Sequence, residues 1–166
     1  MSETISVQDR FYASISYILP ISAAVVFGNT LFAQVPYLIQ IYSPFIWIYR
    51  NILMLPLIPA LGLNGEFAIF LGLYLLVLRN PQVHRFVRFN LIQAFLLQIV
   101  LFIAQILIQT LELVLAQGGN YVLTVLVNTT FMGVSLCCVY AFACAVRATY
   151  TEIPGISSAA LLQTDR

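Results

Sequence analysis

Four polar side chains recur at helical spacing within one long apolar stretch of the sequence. This polar stripe consists of Gln98, Gln105, Gln109 and Glu112. Offsets of 7, 11 and 14 positions from its first member place all four within about 60° of one another on a helix. Because unpaired amides are costly in hydrocarbon, the stripe is expected to face other helices or water, with Asn128 as a partner in the next apolar stretch. The chemistry open to it is hydrogen bonding between helices, a hydrated path or substrate groove, or contact with lipid headgroups near the helix ends.

The other reactive side chains do not form a catalytic or metal-binding set. Glu66 and Glu112 are expected in solvent at the non-cytoplasmic surface, because proton coupling would require burial at mid-membrane. The single histidine, His84, has no second ligand at metal-binding spacing, and the three cysteines lack a C-x-x-C arrangement. No nucleophile stands beside a base, and no glycine-rich phosphate loop is present. The sequence therefore predicts no enzyme, no metal site and no cofactor.

The composition identifies the environment in which these side chains work. Hydrophobic residues make up 61% of the chain and charged residues 8%, whereas about a quarter of the residues of a soluble domain are charged. The mean hydropathy is +0.97. A net charge of +1 gives no indication of nucleic-acid binding. The sequence therefore predicts an integral membrane protein whose first partner is the lipid bilayer, with no nucleic-acid partner.

Four apolar stretches predict an all-α, polytopic membrane protein with four transmembrane helices in a single domain, residues 1–166. A bilayer core requires about 20 apolar residues per helix. The predicted spans are 11–34, 64–79, 85–115 and 121–147. The second is short, because prolines, glycines and Asn64 interrupt its entry and leave clean helix for only about 18 Å. Either the span begins deep in the membrane after a non-helical entry, or the bilayer thins around it. The entry itself is a re-entrant or partner-binding segment or a plain interfacial loop.

Two further segments complete the predicted organisation. Residues 36–51 are dense in aromatic rings and contain Trp47, Tyr49 and Arg50. Rings with a polar edge favour the headgroup level, so this segment is predicted to be interfacial and amphipathic, and its three named residues to anchor the chain or dock a partner. Residues 151–166 are predicted to be a flexible tail.

The arginines indicate which way the chain crosses. With four crossings, the side that holds both termini and the link between the second and third spans carries six of the seven arginines, Arg10, Arg79, Arg85, Arg88, Arg147 and Arg166. Arg50 stands alone on the other side. The positive-inside rule therefore predicts both termini on the cytoplasmic or stromal side. Within the arginine link, residues 79–88, the three arginines anchor the loop or form a docking surface for a partner or an anionic lipid.

Three sequence blocks carry a family resemblance. In order they are SYILPISAAVVFGNTLFAQVPYL, SPFIWIYRN and LYLLVLRNPQVHRFVRFNLIQAFLLQI. They resemble the twenty-kilodalton subunit of the chloroplast inner-envelope protein-import translocon, Tic20, and its cyanobacterial relatives, over about residues 12–115. The resemblance implies four helices with both termini stromal or cytoplasmic. It also implies a multi-pass protein of a cyanobacterial plasma or thylakoid membrane or of the plastid inner envelope.

The resemblance favours a pore or assembly component of a protein-translocation complex. The alternative is a structural or assembly subunit of a larger membrane complex, for example a photosynthetic one, with no conduction of its own. Solute transport or intramembrane catalysis is a third hypothesis. Four helices in one protomer enclose little room, so a channel would require other membrane-protein subunits or a homo-oligomer. A translocating polypeptide is a further expected partner of the first function.

Overall fold

The computed structural model describes residues 5–61, 63–114 and 120–164, and in these ranges the chain is almost entirely helical. Three helices are long and apolar enough to cross a membrane: Val7–Gln34, Arg85–Val114 and Tyr121–Val146. The predicted all-α class is therefore confirmed. Three of the four predicted spans correspond to these long helices.

The first long helix, Val7–Gln34, is assembled from shorter pieces. These are α1 (Val7–Ile15), α2 (Ile18–Ala24), a 3₁₀ turn (Val25–Gly28) and α3 (Asn29–Gln34). It begins at a capping box in which Ser6 Oγ accepts the Asp9 N–H at 3.1 Å and Asp9 accepts the Ser6 N–H at 2.9 Å. Pro20 lies in the first turn of α2, where a missing N–H is tolerated, so the α-helix is interrupted just before it.

The aromatic segment folds back along this first helix. It forms α4 (Tyr37–Ile48), which continues into one π-helical turn, Tyr49–Leu53. The ring of Tyr42 lies 5.8 Å from that of Phe32, and Leu53 lines the same cavity as Leu19. The segment is therefore antiparallel to the first helix and runs alongside it, and some of its rings pack against neighbouring rings. The placement of residues 36–51 in the membrane interface stays a prediction.

A short β-hairpin separates α4 from the next helix. Its strands are β1 (Pro56–Ile58) and β2 (Leu63–Asn64), paired antiparallel with a 3₁₀ turn, Pro59–Leu61, between them. The side chain of Asn64 then accepts the Phe67 N–H at 3.2 Å and caps the following helix. At Gly65 the backbones approach so closely that a Cβ would lie 1.9 Å from the carbonyl oxygen of Ile52. Only glycine fits there without a shift of the backbone.

The helix that follows, α5 (Gly65–Leu73), ends in a second π-helical turn, Tyr74–Leu78. Its nine residues and the five of the turn span about 21 Å, less than the roughly 30 Å of a bilayer core. The predicted span 64–79 is thus a short helix, and its crossing remains a prediction. The hairpin of β1 and β2 separates α5 from α4.

The two remaining long helices complete the bundle: α6 (Arg85–Val114) and α7 (Asn120–Val146). Ala24 and Gly28 of the first helix are buried, and a Cβ at Gly28 would lie 3.1 Å from the ring of Phe131 on α7. Small residues therefore let these two helices approach closely.

The C-terminal segment is ordered. Helix α7 ends at Val146 and is followed by Ala148 at a φ of 57°. The Thr149 N–H donates to the Cys144 carbonyl at 3.0 Å, as in a Schellman motif. After a turn with Gly155 at φ 79°, α8 (Ile156–Thr164) packs on the start of α6, with Ala160 fully buried. This differs from the flexible tail predicted for 151–166, because packing stabilises a helix of nine residues that would be marginal alone.

Candidate functional site

A first polar cluster, the polar junction, lies where the first helix meets the start of α6. Asn90 and Gln93 on α6 have no exposed surface, and Tyr17 is 2% exposed. The Tyr17 hydroxyl lies 2.8 Å from Asn90 Oδ1 and 2.8 Å from Gln93 Oε1. The single hydroxyl proton of Tyr17 is shared between these two amide oxygens. The Asn90 amide also donates to the Phe86 carbonyl at 2.8 Å. The junction is therefore closed to solvent and internally bonded.

The polar junction extends to the C-terminal segment. Gln93 Nε2 donates to Ser157 Oγ at 2.6 Å and to the Thr151 carbonyl at 3.3 Å. Ser157 in turn donates to the Thr151 carbonyl at 2.8 Å and accepts the Ile153 N–H at 2.6 Å. The start of the first helix, the start of α6 and the segment after α7 consequently meet at one end of the bundle. Sequence reasoning missed this cluster, although Asn90 and Gln93 form an i, i+3 polar pair in an apolar run.

A second polar cluster lies in a partly open cavity of about 510 Å³, the polar groove, between the first helix, the start of α5 and α6. Gln98 is 7% exposed and donates its amide N–H to the carboxylate of Glu66. Its Oε1 is buried and accepts no hydrogen bond from the described residues. The sequence placed Glu66 in solvent at the surface, whereas the structure has it half-buried in the wall of this groove.

The rest of the lining combines polar groups with aromatic rings. Tyr49, Asn64 and Gln105 contribute polar atoms, and Phe67 and Phe102 contribute rings. A buried carbonyl oxygen without a donor and a carboxylate nearby both accept hydrogen bonds. The groove is therefore suited to an occupant that is largely apolar and brings N–H donors or positive charge.

The pair of Glu66 and Gln98 lies deep along α6. Gln98 is 13 positions beyond Arg85, which corresponds to about 20 Å along a helix. The full 30 residues of α6 extend about 45 Å. If α6 crosses a bilayer from the arginine link, the pair lies nearer the middle of the hydrocarbon than either surface.

The structure separates the members of the polar stripe. Gln98 is buried in the groove and Gln105 lines it with an exposed side chain. Gln109 and Glu112 are exposed on the surface of α6. Asn128 on α7 is half-buried, and its Oδ1 has no hydrogen-bond partner among the described residues. Helical spacing in the sequence included Gln98, which is buried. It could not show that neighbouring helices leave Gln109 and Glu112 exposed.

The three residues predicted to dock or anchor the aromatic segment face in different directions. Trp47 is 58% exposed, and Arg50 is exposed beside it. Tyr49, by contrast, turns inward and lines the polar groove. The outer face of α4 thus keeps two of the three predicted residues on the surface.

The arginine link borders another cavity, of about 590 Å³, that we call the arginine-end groove. Its walls come from the first helix, the π-helical turn after α4, α5 and the start of α6. Of the predicted anchoring residues, Arg79 and Arg85 are exposed and Arg88 is half-buried.

The sequence of this protein is similar to a known family and to several members of it. A family model described as chloroplast import apparatus Tic20-like matches residues 6–160. The Tic20 family protein of Synechocystis sp. (strain PCC 6803) is 32% identical over 157 residues, which cover 94% of this chain and 92% of that protein. Protein TIC 20-v, chloroplastic, of Arabidopsis thaliana is 28% identical over 164 residues, 95% of this chain and 72% of that protein. Protein TIC 20-II, chloroplastic, of the same plant is 30% identical over 155 residues, 92% and 70%. None of the three is named as an enzyme.

Proposed function

We infer that this protein is a membrane-embedded component of a protein-translocation or protein-insertion assembly. The chain belongs to the Tic20 family, as its sequence blocks predicted, and this membership supports the proposal. In this proposal the short helix α5 completes a fourth crossing. Both termini and the arginine link then face the cytoplasm or stroma, where the positive-inside rule favours six of the seven arginines.

The observation that carries the proposal is the polar groove beside an interrupted helix. Irregular backbone at membrane depth is tolerated only where it is buried in protein or lines a water-filled cavity. The hairpin of β1 and β2 separates α4 from α5 and lies next to the pair of Glu66 and Gln98. Interrupted helices at mid-membrane commonly mark binding sites. The groove is therefore our candidate contact surface for a polypeptide segment within the membrane.

The chemistry of the groove fits such a segment. A polypeptide in hydrocarbon carries backbone N–H groups that require acceptors, and Gln98 Oε1 is a buried acceptor without a described partner. Phe67 and Phe102 offer apolar surface to side chains. A volume of about 510 Å³ holds a few side chains, so a continuous path would require a second protomer or another subunit.

Site-specific photo-crosslinking tests this proposal. A photoreactive residue at position 105 lines the groove, whereas one at Leu107, which is 58% exposed, lies about 160° from it around α6 and provides the matched control. With a membrane polypeptide arrested during translocation or insertion, we expect crosslinks from position 105 and few from position 107. Equal yields from both positions, or none from position 105 while the arrested chain is present, would contradict the proposal.

A second candidate function is a structural or assembly subunit without conduction. It is favoured by Trp47 and Arg50, which are exposed on the outer face of α4, because tryptophan and arginine are enriched where proteins contact one another. Isolation in mild detergent separates the two functions. A stable complex that survives Gln98→Leu but dissociates on Trp47→Ala, without any crosslink to a passing chain, would favour this candidate.

A further inference from the structure

We propose that Glu66 makes the polar groove selective for membrane segments that carry a lysine or arginine side chain. This inference rests on the proposed function and narrows it, because it names the class of polypeptide that the groove retains. A segment without a cationic side chain still reaches the groove, but it is held there more weakly.

The carboxylate of Glu66 has no cation beside it in the wall of the groove. Glu66 is the one acid among the described lining residues, and no described arginine or histidine lines the groove with it. Its hydrogen-bond donor is the neutral amide of Gln98. A half-buried carboxylate is costly unless a positive charge or several donors compensate it. The groove therefore favours an occupant that supplies positive charge.

A second acceptor lies in the same wall. Gln98 is 7% exposed, and its Oε1 accepts no hydrogen bond from the described residues. A half-turn of the carboxamide about its last side-chain torsion exchanges the N–H group and the oxygen, which brings the oxygen next to Glu66. An ammonium has three N–H donors and a guanidinium has five, so either group can serve both oxygens at once. A hydroxyl, with a single donor, can serve only one.

The rest of the wall suits the long stem of a cationic side chain. Phe67, Phe70 and Phe102 line the groove. Aromatic faces attract ammonium and guanidinium groups, and the methylene stems of lysine and arginine pack along apolar surface. A bound inorganic cation, by contrast, requires a compact shell of oxygen ligands. A groove of about 510 Å³ with so many rings therefore favours a side chain over a bare ion.

The depth of the groove makes such selectivity useful. Gln98 is 13 positions beyond Arg85 on α6, about 20 Å along the helix, which in the proposed four-helix crossing is near the middle of the hydrocarbon. A cationic side chain is costly at that depth in lipid, whereas an apolar segment is solvated well by lipid alone. A segment with a cationic side chain therefore gains more from the groove than an apolar segment does.

Photo-crosslinking from position 105 with a matched set of arrested polypeptides tests the selectivity. The polypeptides differ only in the central residue of one apolar membrane segment, which is lysine, glutamine or glutamate. We expect the lysine segment to crosslink about fivefold more than the glutamine segment, the factor that corresponds to one partly screened ion pair. The glutamate segment should crosslink least.

Substitutions at Glu66 separate its charge from its shape. Glu66→Gln keeps the size of the side chain and its ability to hydrogen-bond with Gln98, so this variant should fold, and the lysine segment should fall about fivefold to the level of the glutamine segment. Glu66→Lys should reverse the order and favour the glutamate segment. Glu112→Gln changes an exposed acid of α6 that does not line the groove, so this control should keep the preference within twofold.

The outcomes separate this inference from the proposed function. Equal crosslinking of the three segments from position 105 would overturn the selectivity and leave the groove as a contact surface. A lysine preference that persists in folded Glu66→Gln, or one that is lost equally in Glu112→Gln, would also overturn the role of Glu66. No crosslink from any segment while the arrested chains are present would contradict the proposed function itself.

Discussion

Two polar clusters five residues apart on α6 have opposite characters. In the polar junction, Gln93 has no exposed surface, and its amide oxygen and nitrogen both have partners. In the polar groove, Gln98 is almost as buried, yet its carbonyl oxygen has no described donor and its amide meets a half-buried carboxylate, Glu66. The junction lies at the break between α1 and α2 and is covered by the ordered C-terminal segment, whereas the groove adjoins the hairpin between α4 and α5.

Buried polar side chains in this bundle therefore differ in whether they have hydrogen-bond partners. A hydrogen-bonded network such as that of Asn90, Gln93 and Ser157 contributes stability and fixes a unique packing, while an unpaired acceptor costs free energy that evolution rarely leaves uncompensated. We therefore assign the junction to the fold and the groove to function. Substitutions that act on only one of the two regions test this division.

The largest expected effect is at Gly65, which shapes the entry to the groove. Gly65→Ala places a Cβ 1.9 Å from the Ile52 carbonyl oxygen, so backbone must move, and we expect a loss of ~3 kcal/mol or more in the free energy of unfolding. Gly72→Ala on the same helix meets nothing within 4 Å and should be neutral or slightly stabilising. Thermal unfolding of the two variants in detergent measures the contrast. Equal melting temperatures would show that the π-helical turn at Ile52 and the start of α5 do not approach as closely as the structure shows.

Gln93→Leu should have the next largest effect on stability. The variant removes hydrogen bonds to Tyr17, Ser157 and the Thr151 carbonyl, each worth about 1 kcal/mol net. We expect the free energy of unfolding to fall by ~2–3 kcal/mol, measured by denaturant titration. Release of α8 should accompany it as faster proteolysis of the C-terminal segment. A stable variant with a protected C-terminus would show that the junction does not hold the fold together.

Gln98→Leu, the same substitution in the groove, should leave stability nearly unchanged. It removes one bond to Glu66, which can be solvated in the partly open groove, together with an unpaired oxygen. We therefore expect a change within about 1 kcal/mol. Crosslinking of a passing polypeptide from position 105 should nevertheless fall several-fold. A loss of stability as large as that of Gln93→Leu would erase the distinction between the two clusters.

The smallest effect is expected at the segment that closes the junction. Ala148 has a φ of 57°, a conformation in which glycine is unstrained, so Ala148→Gly should raise the free energy of unfolding by ~0.5–1 kcal/mol. Gly155→Ala, at φ 79°, should lower it by a similar amount. Melting temperatures that shift in the same direction for both variants would contradict this account of the C-terminal turn.

Much of the architecture could be predicted because it depends on local patterns. Apolar length identified three long helices. The family resemblance came from residues in and between those helices. Each of these signals is contained in a short stretch of sequence, so it does not depend on how distant elements pack.

The remaining features depend on tertiary packing. Aromatic rings suit both a headgroup layer and a helix contact, so residues 36–51 could not reveal that Tyr42 packs on Phe32. A helix of nine residues has little intrinsic stability, which is why α8 was not predicted. Glu66 is distant in sequence from Gln98, and helical periodicity within α6 could not bring the two together.

The claim that Gln98 faces a polar groove open to water is tested by the aqueous accessibility of positions 98 and 100. With Cys137, Cys138 and Cys144 replaced by Ala, single cysteines at these positions are exposed to a small, membrane-impermeant thiol reagent in sealed proteoliposomes. Val100 is 45% exposed and lies about 160° from Gln98 around α6, so the two residues share a depth but face different surroundings. The account predicts that position 98 is modified through the polar groove and that position 100 is protected by lipid. Protection of position 98 together with modification of position 100 would contradict it.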